Sequence, residues 1–209
     1  DGAKQVVDNY KPEIKIDPSW EMVELRDICE INPESGEPIE LFGHSEFIYV
    51  DITSVENGTG KVNFLNVVLS KEAPSRARRI VKNGDVILST VRPNLKAFAH
   101  LSNLPPKVLA STGFSVLRCR NTIESKYLYL SIIDDHAVNQ MVNAMGKGAY
   151  PSINSSDVES IKIPLPPLDI QKQIVSRIEE EQQLVDANKK LIEIYQGKIK
   201  EKINEVWGK

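Results

Sequence analysis

The hydrophobic positions of this chain change period twice along its length. Between Trp20 and about residue 120 they fall in short runs rich in Val, Ile, Phe and Tyr and bounded by Gly, Pro and Asn, a pattern that predicts strands. "EMVELRDICEI" spaces Met22, Val23, Leu25, Ile28 and Ile31 as a short strand running into a helical turn. "FIYVDITSV" followed by "ENGTGKV" predicts a hairpin between about 47 and 67, with Asn-Gly at its turn. "NGD" is a turn ahead of the buried strand "VILSTV", which Arg92-Pro93-Asn94 interrupts. "KVLASTGFSVLRCR" reads as a strand pair or one bent strand, with Gly113 at the bend. The spacing then widens to three and four: Tyr127, Leu130, Ile133, Ala137, Met141 and Ala144 predict a helix that Gly146 ends. "SSDVESIKIPL" follows as a serine-capped helical turn and a strand carrying Ile161 and Ile163, stopped by Pro164, Pro166 and Pro167.

The last forty residues have a third pattern. From Leu168 onward there is no proline, and Ile178, Val185, Ile192, Ile199 and Val206 recur every seven positions, the repeat of a helix that packs along a partner helix. The companion column, Glu181, Asn188, Tyr195 and Lys202, is polar, although Leu184 and Leu191 widen the stripe. A helix of about forty residues is about 60 Å long, more than one domain of this size can cover, so part of the stripe is expected to pack against something outside it. The expected class is α+β: a linker or the end of an upstream domain at 1–19, a mixed, strand-rich globular domain at 20–166, and one long coiled-coil helix at 167–209.

Composition narrows the chemistry. No apolar run approaches the roughly 20 residues of a membrane span. Cys29 and Cys119 stand ninety positions apart without a CxxC pair, and His44, His100 and His136 are scattered; buried reduced thiols and no metal are expected. Phosphate-cradling GxxxxGK[ST], GxGxxG and GxSxG motifs are missing, and no cofactor is expected. Asp134, Asp135 and His136 are adjacent on a helix and point apart. Charge is more informative than its net value of −3. Residues 20–60 hold ten acids and one base, whereas residues 71–96 hold seven bases and two acids, a division that can attract phosphates locally.

Arg76, Arg78, Arg79, Arg92 and Lys96 lie in that basic stretch, and arginine suits both phosphate and the guanine edge. Asn94, beside Pro93, offers an amide for an adenine edge. The loop "GKGAYPS" adds Lys147, Tyr150 and Ser152 beside glycines that permit close backbone approach. Together these residues favour a nucleic-acid surface. A catalytic DNA-modifying enzyme with an unrecognised site, and a coiled-coil adaptor for other proteins, stay open as alternatives on the residues alone.

The order of these pieces resembles the DNA-specificity subunit of type I restriction-modification systems and the related modules fused to methylases. The matching segments are Trp20 with "VELRDICEIN", "YVDI", "RRIVKNGDVILSTVRPNLKA", "ASTGFSVLR" and "GKGAYPSINSSDVESIKIPLPPLDIQKQIVSRI". The resemblance implies a target recognition domain that reads one half of a bipartite duplex site without itself catalysing a reaction, in the cytoplasm. It also implies a spacer helix that pairs with a second helix, in a homodimer when isolated, and partners in the methylation and restriction subunits or a fused methylase domain. The prolines before the helix would fix its exit angle. A full subunit of that family carries two recognition domains and two helices, so this chain is expected to be a half-subunit, a fragment, or the C-terminal part of a methylase fusion.

Overall fold

Short β-branched runs bury most easily as strands sandwiched between layers, and in a computed structural model of the protein, which describes residues 4, 5, 7, 10, 14–146 and 151–207, they do so. The strands are β1 (Glu21–Glu24), β2 (Cys29–Ile31), β3 (Glu46–Val50), β4 (Val67–Leu69), β5 (Ala77–Ile80), β6 (Val86–Ser89), β7 (Phe98–His100), β8 (Val108–Ser111), β9 (Phe114–Cys119) and β10 (Lys162–Leu165). The helices are α1 (Leu25–Ile28), α2 (Pro38–Phe42), α3 (Ser125–Ile133), α4 (Asp135–Ala144), α5 (Ser155–Glu159) and α6 (Leu168–Trp207). The fold is α+β, as the periodicities imply. The chain divides into a larger unit, 14–172, and a smaller one, 1–13 with 173–209.

Two four-stranded sheets form the larger unit, in the orders β2-β9-β6-β7 and β4-β3-β8-β5. Pleat alternation sends Ile87, Ala99 and Val116 of the first sheet against Val50, Val108 and Ala110 of the second. Val86 and Leu88 point the other way, and α3 packs on β6, β7 and β9. On the far side of the second sheet, Phe47, Tyr49 and Leu109 meet Phe42 of α2, whose ring stacks on Phe47 at 5.6 Å between centroids. All four residues of β6 are buried, and each large aliphatic side chain so removed from water contributes about 2 kcal/mol. The chain passes between the sheets at Gly113, the expected bend, where a Cβ would sit 3.0 Å from Ile52. A two-stranded ribbon, β1 with β10, joins the start of the unit to the segment before α6.

Three local expectations change. The expected hairpin exists as an antiparallel β3–β4 pair, but a connection with a 3₁₀ turn (Ile52–Ser54) separates them, and β3 also pairs in parallel with β8. The stretch read as one helix is two, because Asp134 adopts φ −63 and ψ 146 and its carboxylate accepts from His136 N at 2.8 Å, capping α4. That helix ends at Met145, before Gly146. Asn154, not a serine, caps α5: its side chain accepts from Ser156 N and Asp157 N, and Asp157 returns a bond from Asn154 N.

In the smaller unit α6 continues to Trp207, and Tyr10 donates to Glu181 Oε2 at 2.7 Å. Val7 lines a cleft with Leu191, Ile192, Tyr195 and Ile199. Exposure rises along the seven-residue stripe: Ile178 is 4% exposed, Val185 and Ile192 are half-buried, and Ile199 and Val206 are 58% and 64% exposed.

Candidate nucleic-acid interface

Strand direction gathers four loops at one end of both sheets, and the segment 151–153 docks onto them. Strands β3 and β8 are parallel and leave their sheet at Val50 and Ser111, while antiparallel β5 enters beside them at Ala77. Residues 112–113 lead directly into β9, whose first residue pairs with Ser89, the last of β6. Backbone hydrogen bonds connect the loops into a rim. Thr112 N donates to Arg76 O (2.8 Å), Thr90 N to Gly113 O (2.9 Å), Ile153 N to Thr90 O (2.9 Å), Arg92 N to Pro151 O (2.9 Å) and Gly58 N to Lys96 O (3.0 Å). Arg76, Arg92 and Ser152, remote in sequence, are thereby brought onto one edge, and all three are exposed. Ser152 also bridges Val91 directly.

The turn carrying Arg92 is held on several sides. Pro93 is buried at the start of a 3₁₀ turn (Pro93–Leu95), Leu95 N donates to Arg92 O, and Lys96 N to Pro93 O. Arg92 and Lys96 both occupy the left-handed region, with φ of 47 and 54, a conformation that costs a non-glycine residue about 1 to 2 kcal/mol. Lys96 Nζ binds Asp135 Oδ1 at 2.6 Å and so ties the turn to α4. Arg92, Asn94 and Leu95, the last 46% exposed, are left facing outward. Among the described residues, no carboxylate lies within ion-pair distance of Arg76 or Arg92.

The seven bases of residues 71–96 do not share one face. Arg78 Nε pairs with Glu37 at 2.9 Å, and Arg79 Nη1 donates to Ser35 Oγ at 3.2 Å. Burial lowers the pKa of Arg79, whose Nε is buried without a partner. Lys82 and Arg118 both bind Glu34, and Arg118 also makes two 2.9 Å bonds to the buried carboxylate of Asp85. Part of the acidic run at 20–60 thus neutralises part of the basic run, along β5 and at the strand ends opposite the rim. Lys147 and Tyr150 lie outside the described residues. Lys61, Asn57 and Thr112 are exposed on the rim segments; in the sequence Asn57 and Lys61 belong to a turn and Thr112 to the strand pair or bent strand around Gly113, and the Asn-Gly signal carries no hint that Gly58 bonds to Lys96. Among the described residues, no three His, Cys, Asp or Glu side chains are grouped to hold a metal, and no helix is long and apolar enough to cross a membrane.

A family model described as type I restriction modification DNA specificity domain matches residues 18–201. The chain is 25% identical over 136 residues to the type I restriction enzyme HindI specificity subunit of Haemophilus influenzae, covering 62% of this chain and 30% of that protein. With the EcoDI specificity subunit of Escherichia coli it shares 22% over 167 residues, or 78% of this chain and 34% of the relative. The chain therefore spans about a third of the length of these curated relatives. The crystal structure of an HsdS subunit from Thermoanaerobacter tengcongensis superposes with a TM-score of 0.77 at 32% identity, over 93% of this chain and 50% of that one.

Proposed function

Because this chain belongs to the type I restriction modification DNA specificity family, we propose that its larger unit reads one half of a bipartite duplex site through the rim formed by residues 57–61, Arg76, 90–96, 112–113 and 151–153. The observation that carries this reading is the meeting of Arg76, Arg92 and Ser152 on one exposed edge. Arg76, Arg92 and Lys61 contact phosphates, while Asn94 and the tip of the turn reach base edges; Lys147 and Tyr150 are further DNA contacts in this reading. Arg78 and Lys96 act chiefly by fixing loops through Glu37 and Asp135. Phosphate contacts set position, and a good bidentate base contact discriminates by about 1 to 3 kcal/mol. The unit catalyses nothing itself. Methyl transfer and cleavage belong to methylation and restriction subunits, or a fused methylase domain, that it directs, and this work is done in the cytoplasm. Helix α6 pairs with a second such helix, from another copy when the chain is alone, and so spaces two half-sites.

The test is selection of bound duplexes by the full chain from a randomised pool. One short motif is expected to be enriched, and enrichment should collapse for Arg76→Ala/Arg92→Ala. A pool without any enriched motif, or unchanged retention by the double variant, overturns the assignment.

A further inference from the structure

The two cysteines, ninety positions apart in sequence, stand directly opposite each other on neighbouring strands: the β2–β9 register pairs Cys29 with Cys119. Arg120 N donates to Ile28 O at 2.9 Å, and Asn32 N donates to Val116 O at 2.7 Å. Bonded and non-bonded pairs alternate along an antiparallel ladder, so the pairs 28/120, 30/118 and 32/116 are the bonded ones and 29/119 is not. At such a position the Cα atoms approach to about 4.5 Å with both side chains on one face, within the roughly 4.4 to 6.8 Å that a disulfide spans. The thiols are free. Cys29 is buried and Cys119 only partly so, so an oxidant meets Cys119 first. Contact with Cys119, then burial, pushes the Cys29 thiol well above its ordinary pKa, so Cys29 does not supply the first thiolate.

We propose that Cys29 and Cys119 are an oxidative modification site, at which a peroxide converts the facing thiols into a cross-strand disulfide that ties β2 to β9. In the first step the Cys119 thiolate attacks one peroxide oxygen, the O–O bond breaks, and Cys119 becomes a sulfenic acid while the other oxygen leaves as water. In the second, Cys29 sulfur attacks Cys119 sulfur, the S–O bond breaks, and the hydroxyl leaves with the Cys29 proton as water. Two thiols and one peroxide give one disulfide and two waters. A thiol reductant reverses the product, as is usual for redox-responsive rather than structural pairs in reducing compartments.

The full chain treated with hydrogen peroxide should lose two hydrogen atoms by intact mass, show no alkylatable thiol after denaturation, and melt about 9 to 18 °C higher than the reduced chain, as closing a loop of this length implies. Dithiothreitol should restore both thiols, and Cys29→Ser and Cys119→Ser should each remove the mass change. Two thiols still alkylatable after treatment, Cys119 carried on to sulfinic acid beside a free Cys29, or disulfides formed only between chains would each overturn the assignment.

Discussion

Arg92 combines two properties that conflict in energy and agree in use: a left-handed backbone and an exposed guanidinium among hydrogen-bonded neighbours. Replacing it by glycine relieves the backbone while removing the cation. Arg92→Gly is therefore expected to raise stability by about 1 kcal/mol, measured by urea denaturation. Both Arg92→Gly and Arg92→Ala should weaken duplex binding about tenfold and lower the salt slope of log K by about 1. Glu34 is a second single-residue test. Hydrogen bonds from Lys82 and Arg118 hold its carboxyl below the usual carboxylate range. A depressed folded-state pKa contributes stability above the unfolded value of about 4.3, and that contribution is lost as pH falls through the folded value. Melting temperature should thus drop on acidification below about pH 4, and less steeply in Glu34→Gln. Arg118→Ala leaves the Asp85 carboxylate buried without its guanidinium and should cost about 3 kcal/mol in the same urea assay.

At the scale of elements, the start of α6 depends on one amide. Gln171, fully buried, accepts from Glu124 N at 2.8 Å and donates to Thr122 O and Pro166 O at 3.2 and 2.8 Å. It fastens the first turn of the helix to the segment ahead of α3, within the larger unit. Gln171→Ala leaves those backbone groups unpaired and is expected to destabilise the unit by about 2 to 3 kcal/mol, with a lower urea midpoint and unchanged slope. The sequence shows the glutamine within "IPLPPLDIQKQIV" but not its partners Glu124 and Thr122, forty-seven and forty-nine positions away. The same limit runs through the rest. Strands, the bend at Gly113 and the long helix were legible because period and turn chemistry are local. The division of labour among the arginines was not, because Arg78 finds Glu37 and Arg79 finds Ser35 only through pairing between distant segments. Asp134 is of cap-forming type, but the three-and-four spacing from Tyr127 to Ala144 runs through it unbroken and hides the break.

At the scale of the whole chain, the later half of α6 presents Ile194, Ile199, Ile203, Val206 and Trp207 at 53% to 80% exposure, more apolar surface than a lone helix keeps in water without a partner. Sedimentation of the full chain is expected to show self-association that Ile199→Asp/Val206→Asp abolishes while leaving the far-ultraviolet helical signal of the dilute protein unchanged. In the larger unit, the rim segments 90–96 and 112–113 spring from the ends of β6 and β9, and the Glu34–Arg118–Asp85 clamp lies at the opposite end of those same strands. On the proposed assignment, diversifying Asn57, Lys61, Asn94, Leu95 and Thr112 would alter the reading edge while Gly58 and Gly60, both at positive φ, and the frame behind the rim keep their fastenings. On that assignment the chain is a ready chassis for libraries of retargeted binders, in which new preferences are sought without rebuilding the scaffold.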